Sequence, residues 1–106
     1  MNTDKESPPL QTIPLSLETA KIEWAELQRF FAAGNVYQLQ VGLDLPVLAE
    51  KFKSDDAEYI KQLLNAGNLK PVSDDQARKW INQNAIVWAV VIAPFVLVQG
   101  LGTESN

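Results

Sequence analysis

Two apolar periods alternate along the chain. Leu17, Ala20, Trp24, Leu27 and Phe31 are spaced by threes and fours, with Glu18, Lys21, Glu23, Glu26 and Arg29 on the other faces. That stripe predicts a helix over 17–33, with Ser16 as N-cap and Gly34 as a left-handed stop. Phe30 beside Phe31 widens the stripe, so the helix should lie on a broad surface such as a sheet. From 35 to 43 the period drops to two: Tyr37, Leu39, Val41 and Leu43 alternate with Gln38 and Gln40, the pattern of a half-buried strand.

Three shorter helices follow. Asp44-Leu45-Pro46 has the residue types of a cap and a first turn, with Val47, Leu48 and Phe52 as the apolar side. A helix over about 56–66 buries Ile60, Leu63 and Leu64 and stops at Gly67. Another over about 74–83 buries Ala77, Trp80 and Ile81, and its Ser73 and Gln76 have capping-box spacing. Residues 69–72 between them form a connector. The last element, 85–99, is apolar on both faces and rich in β-branched residues, which favours a buried strand. Pro94 lacks an amide proton, so that strand must bend, bulge or sit on an edge there.

Composition narrows the chemistry. The chain has 106 residues, 13 acidic and 9 basic, for a net charge of −4, and it contains no cysteine and no histidine. A chain of this size buries roughly 65% of its unfolded surface, enough for one core and one domain. Absent cysteine removes disulfides, thiolate nucleophiles and sulfur-based metal sites. Absent histidine removes the commonest general base and transition-metal ligand. The acidic balance disfavours nucleic acid and anionic membrane surfaces as partners. The apolar run 85–98 would span only about 21 Å as a helix, short of the roughly 30 Å hydrocarbon layer. The first residues show neither a basic n-region nor an apolar h-region, so a cytoplasmic location is expected. Three of the six prolines fall within the first 14 residues, which predicts a flexible tail over 1–14, a single domain over 15–99 and a frayed end over 100–106.

Candidate sites are few. Asp55/Asp56 and Asp74/Asp75 could each be read as a magnesium site or an acid/base pair, and Asp44 with Asp55 and Asp56 as a divalent-metal set. Both pairs, however, stand where helices begin and where negative charge is favoured by the macrodipole. Capping is the expected role, with no metal ligand and no cofactor. Residues 45–66 have helix-turn-helix spacing, yet the second helix opens with Asp55, Asp56 and Glu58, which would face phosphate. No phosphate-binding glycine loop and no Ser-x-x-Lys occurs, so no catalytic residue is assigned and an enzyme is disfavoured. Trp24 and Trp80 have helical spacing with aliphatic residues and belong in the core, whereas Trp88 shares a strand face with Val90 and Ile92.

Several segments together carry a resemblance: Glu23-Trp24 with Leu27; Leu43-Asp44-Leu45 with Val47 and Ala49; Asp55-Asp56 with Ile60, Leu64, Gly67 and Leu69; and the closing Pro94-Phe95-Val96-Leu97-Val98-Gln99. Over residues 20–100 the chain resembles a small bacterial family of uncharacterised proteins, domain of unknown function 2288. It departs from that pattern in Pro46 and in a longer N-terminal leader. The resemblance implies a shared fold and no activity.

The expected architecture is α+β: about four helices on a small antiparallel sheet made from 36–43 and 86–99. Two strands alone are marginal, and the last has no polar face. Helices must cover both its sides, or a second copy must pair with it in a homodimer. The expected function is a non-enzymatic protein-interaction module with partner-binding residues Trp88, Val90, Ile92 and Phe95. The alternatives are a helix-turn-helix-like nucleic-acid binder and a small-ligand or divalent-metal protein.

Overall fold

The computed structural model describes residues 19–101. The tail expected over 1–14 and the cap expected at Ser16 lie outside them, as does the end from 102. Five strands and four α-helices follow in order: β1 (Ala20–Glu23), a 3-10 turn (Trp24–Leu27), α1 (Gln28–Ala32), β2 (Val36–Leu39), α2 (Leu45–Lys53), α3 (Ala57–Ala66), β3 (Leu69–Pro71), α4 (Asp74–Asn82), β4 (Ile86–Ile92) and β5 (Phe95–Gln99).

The strands form one mixed sheet in the order β1-β4-β5-β2-β3. The expected long last strand is a hairpin. Ala93-Pro94, joined by a cis bond, turns the chain, and Ile92 pairs back onto Phe95. β2 runs parallel to β5, not antiparallel as expected, and antiparallel to β3. The connector expected at 69–72 is therefore an edge strand. It pairs with β2 on the side that β5 leaves open, and it ends at Pro71, where a missing amide proton costs least.

Strand alternation divides the side chains between two layers. Val87, Ala89, Val96 and Val98 meet Ile22, Trp24, Leu27, Ala77 and Trp80 on one face, under α1 and α4. Val90 and Leu97 meet Leu39, Leu45, Leu48 and Ala49 on the other, with Phe52, Tyr59, Ile60 and Leu63 from α2 and α3 packed around them. Helices thus cover the apolar hairpin from both sides. The alternative expectation, a second copy on the free edge of the last strand, has no place there, because β5 lies between β4 and β2. Trp24 and Trp80 are core residues with ring centroids 5.0 Å apart. Each such indole removes roughly 150–250 Å² from water, a gross gain of about 4–6 kcal/mol before conformational entropy is charged against it.

The helix predicted over 17–33 is confined to α1 and the preceding 3-10 turn. Residues 20–23 are extended instead, because β4 presents an apolar edge whose backbone groups need partners, and Ile22 opposite Val87 buries against it. Gly34 does end the helix, at φ +81. The strand predicted as far as 43 stops at Leu39, and a turn containing Gly42 at φ +99 leads into α2. Three expected caps are made: Asp44 accepts from the Val47 amide at 3.0 Å, Asp56 from Tyr59 at 3.1 Å and Ser73 from Gln76 at 3.0 Å. Gly67 closes α3 in the left-handed region at φ +78.

Candidate functional site

The two acidic pairs are accounted for by helix ends. Asp56 caps α3 and also lies 3.6 Å from Lys51, while Asp55 takes a left-handed conformation, φ 57, in the turn that ends α2. Asp74 and Asp75 occupy the first turn of α4, where Asp75 accepts from Arg78 at 2.8 Å. Among the described residues no three carboxylates gather as a metal-holding group. The helix-turn-helix spacing does correspond to two consecutive helices, but the inner side of α3 (Tyr59, Ile60, Leu63) packs with α2 over the sheet. Glu58 lies in the exposed first turn of α3. Among the described residues no helix is long and apolar enough to cross a membrane.

Trp88, Val90 and Ile92 lie on one face of β4, and Phe95 is the residue of β5 paired with Ile92. They are not one continuous surface. Val90 has no exposed area, being sealed beneath α2. Ile92 is half-buried in the same layer. Phe95 lies in an apolar depression of about 190 Å³ with Tyr37, Phe52, Ile60, Leu64 and Leu69. There it meets Tyr37 and Phe52 edge-on, each with centroids 5.9 Å away. Trp88 opens onto a different groove.

That second groove is built from the sequence upward. In β4, Trp88 stands opposite Lys21 of β1 and Gln99 of β5. The Lys21 ammonium lies 5.3 Å from the centre of the indole, a cation–π placement. Gln99 is buried, and its side-chain amide donates to two carbonyls of the β2–α2 turn, Gln40 at 2.9 Å and Leu43 at 2.7 Å. The turn is thereby fastened across the end of the sheet. Leu43, Asp44, Leu45 and Pro46 form one wall of the groove, Trp88, Gln99 and Thr19 the remainder, and its volume is about 260 Å³. Leu43 and Val47 are each 39% exposed, and Val41 in the turn is 52% exposed. From sequence, Asp44 is a cap and a candidate metal ligand, whereas Gln99, Val41 and Leu43 carry no site role. The signal that could have found Gln99 is a lone amide closing an otherwise apolar run.

A third depression, between α1 and α4, has Phe31, Ala77 and Ile81 as its apolar lining and Gln28, Asp74 and Arg78 on its polar side. Its charged groups are Asp74 and Arg78, and Arg78 is paired with the exposed Asp75 beside it.

Comparison with known proteins bears on this arrangement. The model of the family described as "Protein of unknown function (DUF2288)" matches residues 12–100. The chain belongs to the DUF2288 family. The NMR solution structure of PA1075 from Pseudomonas aeruginosa is similar, with a TM-score of 0.76 and 35% sequence identity, covering 100% of this chain and 97% of that one. No curated protein matches the sequence. In this DUF2288 chain the closing Pro94–Gln99 segment, on which the family resemblance rested most, supplies the whole of β5, and its final residue is the amide that fastens the turn.

Proposed function

We propose that this DUF2288 protein is a non-enzymatic protein-interaction module that receives an apolar side chain of a partner protein in the Trp88 groove. The observation that carries this reading is the exposure of Leu43 beside a half-buried tryptophan, on a turn held in place by Gln99. A rigid apolar wall lowers the entropy lost on docking, and tryptophan in a pocket is a frequent centre of interface energy. The volume of about 260 Å³ accommodates one or two side chains. The absence of histidine and cysteine from the sequence is in keeping with a binding role.

The test is capture from host lysate with the full chain, in parallel with L43D and W88A and with E58K as a surface control on α3. A partner retained saturably by wild type and E58K but lost from L43D and W88A supports the reading. A partner retained equally by all four removes the groove from it, and no saturable partner for the wild type overturns the module itself.

A further inference from the structure

The two edges of the sheet are not alike. β3 ends in Pro71, whereas β1 is a regular edge whose sequence, Ala20-Lys21-Ile22-Glu23, carries opposite charges two residues apart. The ladder to β4 determines which backbone groups that edge presents. The Trp24 amide donates to the Ala85 carbonyl at 2.9 Å, in the register that sets Ile22 opposite Val87 and Ala20 opposite Ala89. Hydrogen-bonded pairs alternate in an antiparallel ladder, so Ala20, Ile22 and Trp24 direct their amides and carbonyls inward to β4. Lys21 and Glu23 direct theirs outward. Both residues are exposed, and neither pairs with another described strand.

We propose that a second copy of this chain pairs with β1 about a two-fold axis through Ile22, continuing the sheet from one subunit into the next. The proposal rests on the reading of this protein as an interaction module and names one of its partners. Parity and charge select the register. A two-fold between residues would set an outward-facing amide against an inward-facing one and form no ladder. Two residue-centred axes align three residues of each strand. An axis on Lys21 sets Lys21 against Lys21 of the second copy and forms one hydrogen-bonded pair. An axis on Ile22 sets Lys21 against Glu23 twice and forms two such pairs. Opposite charges directly across an antiparallel pair are favourable and like charges unfavourable. The contact is self-complementary, as a closed two-fold interface requires. Both charged residues lie on the sheet face of Trp88, so the junction adjoins the groove at Lys21.

The experiment is sedimentation velocity on the full 106-residue chain over a dilution series from 1 mM to 1 µM, at low and at 0.5 M salt. The variants are K21E, E23K and the double exchange K21E/E23K, with circular dichroism as the check on folding. The expected result is a wild-type dimer weakened at least tenfold by either single exchange and restored to within threefold by the double. A wild type that is monomeric at 1 mM, single exchanges without effect, or a double exchange that fails to restore association would each overturn the proposal. L43D separates the two readings. It should leave the dimer intact while losing the partner captured in the groove, and a captured partner with a monomeric wild type would sink the self-association alone.

Discussion

Replacing Gln99 with methionine tests whether the β2–α2 turn is held by one side chain. Methionine keeps the length of glutamine and removes both donors. Gln99 is 8% exposed, and its amide meets the Gln40 and Leu43 carbonyls at 2.9 and 2.7 Å. Leaving two buried acceptors unpaired would cost about 1–3 kcal/mol each, but Gln40 and Leu43 belong to an exposed turn that water can reach. The net loss is therefore set at about 1 kcal/mol per bond, or about 2 kcal/mol in all. For a chain of this size that lowers the melting temperature by about 8–10 °C. In urea, with a slope of about 1–1.5 kcal/mol/M, the midpoint falls by about 1.3–2 M. Tryptophan fluorescence and circular dichroism through the same urea series would measure it. Q99E should lose more than Q99M at neutral pH, because a carboxylate would then face two carbonyl oxygens across the same short distances. A Q99M protein within 0.5 kcal/mol of wild type, or a Q99E protein as stable as wild type, would refute the reasoning.

Three further outcomes follow from the same geometry. D56A removes the acceptor for the Tyr59 amide and the neighbour of Lys51, and should cost about 1 kcal/mol by urea titration. G67A places a side chain at φ +78 where no atom lies within 4 Å of the added carbon, so the loss is purely conformational, about 1 kcal/mol, and G67N should lose less than G67A. V90D buries a carboxylate between sheet and α2 at a position with no exposed area; it should leave little folded protein by circular dichroism, the loss being at least 4 kcal/mol, while L43D at the exposed turn stays within about 0.5 kcal/mol of wild type.

The sequence by itself determined most helix ends, the centre of the core and the fold class. The first helix nonetheless starts later than its stripe predicts, and Leu64 and Ile81, expected inside, are exposed. Asp44, Asp56, Ser73, Gly34 and Gly67 act locally: a cap needs only an amide three residues on, and a left-handed stop needs only its own φ, so both are legible in a short window. Trp24 and Trp80 were legible as core because helical spacing with aliphatic neighbours states which side is buried. The apolar run at 85–99 likewise announced an element wetted on neither face, and α1 with α4 and α2 with α3 provide its two coverings.

What tertiary structure decided were the outcomes that depend on which strand lies beside which. Residues 20–23 satisfy a helical stripe and a two-residue alternation equally well, and the open edge of β4 settled the choice by offering hydrogen-bond partners to an extended chain. Lys70 and Pro71 have poor strand propensity, yet β2 needed a neighbour on its second side. The groove was the least legible feature. Trp88 was visible as an unusual position, but the wall it faces comes from residues 43–46, and the clamp that aligns them joins positions 56 and 59 residues apart in the chain. Propensity and periodicity act over a few neighbouring residues, whereas this site is made by pairing Gln99 beside Trp88 across a hairpin. No local window contains that contact.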